Sequence, residues 1–303
     1  MRHVSRRALL AAAAAAGGLS ALPVRATAPL LAKPIGASGE TLPVIGLGSW
    51  ITFNVGRDPE GRARSTEVIR NFFQLGGRAI DSSPMYGSAQ SVIGAALKTL
   101  GMPKELYSAT KVWIAEGPAG PKQIEESRRL WGVPRFDLLQ VHNLLSWQKH
   151  LETLRAMKAE GRVRHIGITT SHGMRHAEME KVMLAEPIDF VQLTYNIADR
   201  AVEERLLPLA AEKGIAVLAN RPFRQGQLID EMAGRKLPDF AAEFDVTTWP
   251  QFLLKFAVSH PAVTCAIPAT SRVDHLRENM VACYGRLPDP DLRKRMAEFF
   301  EAA

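Results

Sequence analysis

Two cysteines in 303 residues, Cys265 and Cys283, are too few for a disulfide framework and do not make a zinc site. Acid is missing from residues 1–28, where Arg2, Arg6, Arg7 and Arg25 carry four of the seven net positive charges. The rest of the chain is therefore only mildly basic. It has no basic patch with interleaved aromatics, which removes the nucleic-acid reading. There is no serine nucleophile elbow, and no second carboxylate with an obvious partner role, so hydrolysis lacks its parts. His172 and His176 are four apart, but no acidic residue in zincin spacing accompanies them, so they read as a solvated helix start and no metal is expected. What is present is ordinary for a globular protein, 46% apolar and 23% charged residues, and excludes a disordered, collagen-like or coiled-coil chain.

Residues 1–28 read as an address. The paired arginines of Ser5-Arg6-Arg7-Ala8-Leu9-Leu10 precede an alanine-rich apolar stretch up to Leu22, and Ala26-Thr27-Ala28 ends in small residues. That is a charged region, an apolar region and a small-x-small cleavage site. Gly17, Gly18 and Ser20 dilute a stretch already short of the roughly 20 apolar residues a membrane span needs. The segment resembles a twin-arginine signal; a general secretory signal and an uncleaved anchor are the alternatives. The expectation is a signal at 1–28, a single domain over 29–303, the twin-arginine export machinery as a partner, and work in the periplasm or cell envelope.

Beyond residue 40 one pattern repeats. A segment with helical spacing ends in glycine and a short apolar run follows, as in Leu75-Gly76-Gly77-Arg78-Ala79-Ile80, Glu160-Gly161-Arg162-Val163 and Lys213-Gly214-Ile215-Ala216-Val217-Leu218. Glycine past a helix end supplies the left-handed conformation that stops it. The runs are rich in Val, Ile and Leu and too short for helices, so they read as buried parallel strands. They centre near Ile45, Ile80, Ser108, Leu139, Ile166, Val191, Val217 and Cys265, with room for a helix in every gap. Trp147, Leu151, Leu154 and Met157 share one helical face, as do Val202, Leu206, Leu209 and Ala210. Eight strands alternating with helices predict a (β/α)8 TIM barrel. An open doubly wound sheet would need a glycine-rich nucleotide turn, and Gly46-Leu47-Gly48-Ser49-Trp50 lacks its third glycine. Residues 33–43 read as an N-terminal hairpin, the gap from Asn220 to Val246 as a loop excursion on the catalytic face, and the segment after Asn279 as a short helical tail.

A barrel places its chemistry at the C-terminal ends of its strands. Those ends carry Asp81 and, five residues on, Tyr86; then Thr110-Lys111; then Gln140-Val141-His142. Free tyrosine has a pKa of about 10, and an ammonium beside it favours the phenolate. Lys111 supplies that ammonium and Asp81 keeps it charged. Tyr86 then protonates an oxygen that is gaining negative charge, and His142 orients that oxygen with a hydrogen bond. These parts suit reduction of a carbonyl by hydride.

At this level of detail the chain resembles the aldo-keto reductase superfamily over about residues 33–300. The resemblance rests on Leu42-Pro43-Val44-Ile45-Gly46-Leu47-Gly48-Ser49-Trp50, Ala79-Ile80-Asp81-Ser82-Ser83-Pro84-Met85-Tyr86-Gly87-Ser88 and Ser108-Ala109-Thr110-Lys111-Val112-Trp113. It continues through Asp137-Leu138-Leu139-Gln140-Val141-His142, Gln192-Leu193-Thr194-Tyr195-Asn196, Ile267-Pro268 and Arg277-Glu278-Asn279. It implies a catalytic tetrad of Asp81, Tyr86, Lys111 and His142, with Tyr86 as acid in reduction and base in oxidation. It also implies an extended NADP(H), with NAD(H) a possible substitute, and a small carbonyl or alcohol substrate. Thr169, Thr170 and Gln192 would hold the nicotinamide amide. Asn220, followed by Arg221 and Pro222, stands where an aromatic residue commonly stacks. Ala269, Thr270 and Arg272, then His275, Glu278 and Asn279, would take the adenosine end. Ala269 and His275 stand where NADPH-selective members often carry Lys and Arg, which leaves Arg272 to pair the 2′-phosphate. Trp50 and Trp113 resemble pocket-lining aromatics. The competing function is a barrel that binds a nicotinamide nucleotide without catalysis, as a sensor or subunit.

Overall fold

A computed structural model describes residues 29–302; the proposed signal at 1–28 lies outside the described residues. An antiparallel hairpin comes first, β1 (Ala32–Pro34) with β2 (Thr41–Pro43). Eight parallel strands follow: β3 (Leu47–Gly48), β4 (Ala79–Asp81), β5 (Tyr107–Val112), β6 (Phe136–Val141), β7 (Val163–Thr169), β8 (Phe190–Thr194), β9 (Ala216–Asn220) and β10 (Cys265–Ala266). Each hydrogen-bonds to the next in chain order. Parallel bridges Ile45↔Ala266 and Gly48↔Ala269 join the last strand to the first and close the barrel.

Among the described residues, the helices packed outside are α1 (Pro59–Gln74), α2 (Ala89–Thr99), α3 (Gly120–Trp131), α4 (Trp147–Ala159), α5 (His176–Ala185), α6 (Leu206–Lys213), α7 (Gln227–Glu231), α8 (Trp249–Ser259), α9 (Val273–Val281) and the terminal α10 (Pro290–Glu301). Gly214 ends α6 at φ 66°, a conformation that costs L side chains about 1–2 kcal/mol and costs glycine little, and its N–H caps the carbonyls of Ala210 and Ala211. The helical face expected from Val202 to Ala210 is broken instead: a 3-10 turn at Ala201–Glu203 precedes α6, and Arg205 between them leaves the helical region at φ −140°. Pro208 explains it, because proline has no N–H to offer Glu204 and its ring crowds that carbonyl.

Side chains alternate across each strand, and the register decides what lies inside. Ala79, Tyr107, Ala109, Leu138, Phe190, Ala216, Leu218, Cys265 and Ile267 form the apolar interior, which Ile35 and Leu42 of the hairpin complete from the N-terminal end. Two residues further along the same inward rows come Asp81, Lys111, Gln140 and Gln192. The period of two thus puts a polar layer at the C-terminal mouth. The outward row of the strands packs on the helices as the larger core.

Candidate active site

A cleft of about 500 Å³ opens over that polar layer. Its floor is an ion pair. Lys111 Nζ lies 2.5 Å from Asp81 Oδ2 and donates also to the Ser82 carbonyl at 2.8 Å. The Lys111 side chain is fully buried and that of Asp81 is 4% exposed. Gln192 Nε2 donates to the second Asp81 oxygen at 3.0 Å, and Ser49 Oγ donates to the Asp81 carbonyl at 2.8 Å. Burial pulls the Lys111 pKa down more than any other single influence, but Asp81 and Tyr86 together outweigh it and leave the ammonium held above its usual value. The layer therefore carries a permanent cation.

Tyr86 stands over this cation, its ring centroid 5.2 Å from Lys111 Nζ. The expected drop in the phenol pKa is not the net result. Burial raises it more than Lys111 lowers it, and Asp81 adds to the rise. Desolvation of a phenolate half-buried in the cleft wall is the physical reason; Tyr86 holds its proton at neutral pH. The His142 ring meets the Tyr86 ring edge-on at 5.7 Å. Burial, and then the Lys111 charge, push the His142 pKa down to about 3, so the imidazole is neutral.

Asp81, Tyr86 and His142 line the cleft, with Lys111 beneath them. Thr169 and Gln192 are register partners on β7 and β8, and both line it with Thr170. Thr169 Oγ1 accepts from the Asn143 N–H at 3.0 Å. Gln192 commits its amide N–H to Asp81 and keeps its carbonyl oxygen as an acceptor. Asn220 also lines the cleft, but its amide is engaged on both sides, donating to the Thr170 carbonyl at 2.9 Å and accepting from Thr194 Oγ1 at 2.8 Å. Arg221 and Pro222 lie on the wall, and Arg221 Nη1 is a buried donor without a partner. Ala269, Thr270, His275, Glu278 and Asn279 line the far end.

Besides Lys111 beneath it, two expected positions fall outside this lining. Arg272 turns outward into an ion pair with Asp274, with both side chains more than 60% exposed. Trp113 is 40% exposed, its ring centroid 6.5 Å from that of His142; of the two tryptophans only Trp50 lines the cleft. Several lining residues escaped the sequence reading. Ile51, Asn143, His172 and Gln225 line the cleft with φ between 52° and 65°, strain of the kind that clusters at functional sites. Only their position after a strand end marked them in the sequence. Phe223, Ile229 and Asp230 join them from the 220–246 excursion.

The arrangement is a protonated phenol above a buried ammonium, beside a neutral imidazole, at the mouth of a closed barrel. The aldo/keto reductase family profile matches residues 44–296. The chain belongs to the aldo/keto reductase family. As an aldo-keto reductase it is an oxidoreductase dependent on NAD(P)H. It is 26% identical to the methylglyoxal reductase YeaE of Escherichia coli over 268 residues, 86% of this chain and 92% of that one. It is 30% identical to the pyridoxine 4-dehydrogenase of the same organism over 246 residues, 74% and 82% of the two chains. In fold it is similar to an aldo/keto reductase from Klebsiella pneumoniae solved with NADP and acetate, with a TM-score of 0.75, 23% identity, and coverage of 90% and 96%.

Proposed function

We propose that this aldo-keto reductase interconverts a small carbonyl compound and its alcohol with NADP(H), also accepting NAD(H), and that Tyr86 gives the proton in reduction and takes it back in oxidation. The observation that carries the reading is the fully buried Lys111 ammonium, held 2.5 Å from Asp81 and 5.2 Å from the centre of the Tyr86 ring. A buried ion pair is a poor way to stabilise a core. Placed under a phenol at a cleft, it favours the phenolate that proton transfer leaves behind.

The cleft suits a dinucleotide. Arg221 Nη1, a buried donor without a partner, matches a phosphate oxygen. Thr169, Thr170 and the Gln192 carbonyl oxygen would take the carboxamide of the nicotinamide, with Asn220 and Pro222 beside them. Ala269, Thr270, His275, Glu278 and Asn279 would take the adenosine end, and Arg272 would read a 2′-phosphate. The nicotinamide supplies hydride chemistry when bound. The chain's own residues manage the oxygen: Tyr86 donates its proton as negative charge develops there, neutral His142 donates a hydrogen bond to it, and Lys111 with Asp81 keeps the phenol poised. Trp50 and Trp113 would flank the substrate. Methylglyoxal, the substrate that the name of the Escherichia coli relative states, is a natural first compound to try.

The test is titration of the protein with NADPH and NADH by fluorescence, followed by nucleotide oxidation with aldehydes, ketones and sugars. Tight nucleotide binding with no turnover across the panel would leave a binding barrel in place of an enzyme. We further propose that residues 1–28 direct twin-arginine export to the periplasm or envelope. Replacing Arg6 and Arg7 by lysine should hold the protein in the cytoplasm, and unchanged export would end that reading.

A further inference from the structure

A neutral imidazole has two ring nitrogens, one a donor and one an acceptor. A carbonyl oxygen gaining negative charge needs the donor. Which nitrogen of His142 carries the proton is therefore as important as where the ring sits, and the groups around it make one choice.

Ser83 and His142 are both buried, and Ser83 Oγ lies 2.8 Å from His142 Nδ1. The serine belongs to the turn that presents the tyrosine. In Ser83-Pro84-Met85-Tyr86 the Tyr86 N–H donates to the Ser83 carbonyl at 3.0 Å, and proline at the second position suits such a turn. Within the same turn the Met85 N–H donates to Ser83 Oγ at 3.2 Å. A hydroxyl has one proton and two lone pairs. One lone pair serves Met85, and His142 Nδ1 is the acceptor within reach of the proton. Were Nδ1 protonated, the buried Ser83 proton would have no acceptor and the other ring nitrogen would turn a lone pair on the substrate oxygen. Full pairing leaves one arrangement: Ser83 donates to Nδ1, and Nε2 carries the hydrogen. The edge-on Tyr86 ring and the tilted Trp113 ring hold the imidazole from its other sides.

We infer that Ser83 is a positioning residue that fixes His142 as the Nε2–H tautomer, so that one β-turn sets both the proton donor and the hydrogen-bond donor of the carbonyl site. The inference rests on the proposed roles of Tyr86 and His142, and its test is separable from them because it is read first on the free enzyme. Protein labelled with 15N-histidine should show His142 Nδ1 unprotonated and Nε2 protonated. Ser83→Ala should admit the second tautomer and lower kcat about ten-fold, the effect of one buried hydrogen bond, while KM for the carbonyl and the NADPH dissociation constant stay within about two-fold. Ser83→Thr, which keeps the hydroxyl, should restore both the spectrum and kcat. A proton on Nδ1 in the wild-type spectrum overturns the inference whatever the variants do. So does a Ser83→Ala enzyme with wild-type spectrum and kcat. If Ser83→Ala does not fold, the wild-type spectrum alone decides.

Discussion

Replacing Lys111 by methionine separates the two consequences of the buried ion pair, stability and chemistry. Methionine keeps the length and apolar stem of lysine and removes the charge. Asp81, 4% exposed, then keeps the Gln192 amide at 3.0 Å and a weak approach from the Gln140 amide at 3.4 Å. Breaking a buried pair from one side costs about 3–5 kcal/mol, because the remaining charge is left uncompensated. The surviving amide from Gln192 places the expectation at the low end, about 3 kcal/mol. The double variant Asp81→Asn, Lys111→Met leaves no charge behind and should recover most of that loss. Urea unfolding of the wild type, both single variants and the double variant reads the cycle directly, with a common slope as the check that the folded and unfolded states are comparable. All three variants should be nearly inactive, including the one that regains stability. A Lys111→Met protein as stable as the wild type, or a double variant no more stable than the single one, would refute a charge that is both buried and paired.

Further expectations concern pH and nucleotide choice. Reduction should stay flat through neutral pH, because the raised Tyr86 pKa keeps the phenol protonated; oxidation, which needs the phenolate, should rise with pH into the alkaline range, and parallel pH–rate profiles in the two directions check this. His142 has its pKa lowered from 6.5 to about 3, so its contribution to stability is full above pH 6.5 and is lost as pH falls towards 3. The size is of order a few kcal/mol, and a shallower acid slope for His142→Gln in urea titrations is the expected signature. Asp274 pairs with Arg272 outside the cleft, at the end proposed for the adenosine. Asp274→Asn should therefore tighten NADPH by about two- to five-fold, the scale of an exposed ion pair, with NADH unchanged, and Arg272→Ala should weaken NADPH more than NADH; fluorescence titration measures both.

The barrel was legible because its signals are local. β4, β5, β6, β7 and β9 each ran as a short apolar segment after a helix-stopping glycine, and the ends of β4, β5, β6 and β8 delivered Asp81, Lys111, Gln140 and Gln192 at positions the period of two makes inward. The first barrel strand shows the margin of that reading. Its ladder is Leu47–Gly48, while Ile45, the expected centre, makes only an isolated bridge to Ala266. What escaped depends on distance in sequence or on burial. Ser83 and His142 are 59 residues apart, and nothing near either names the other. The ion pair of Arg272 with Asp274 also escaped, although the two are only two residues apart. The sign of the Tyr86 shift is a contest between desolvation and the Lys111 charge, and the depth of burial that decides it is a property of the folded mouth alone.

The central claim is that Tyr86 supplies the proton, and Tyr86→Phe tests it by removing one hydroxyl and little else. With NADPH saturating and an aldehyde that the wild type reduces, kcat should fall by about 10²–10⁴-fold, while the NADPH dissociation constant stays within about two-fold of wild type. A Tyr86→Phe enzyme that turns over within a few-fold of wild type, its nucleotide bound as before, contradicts the account.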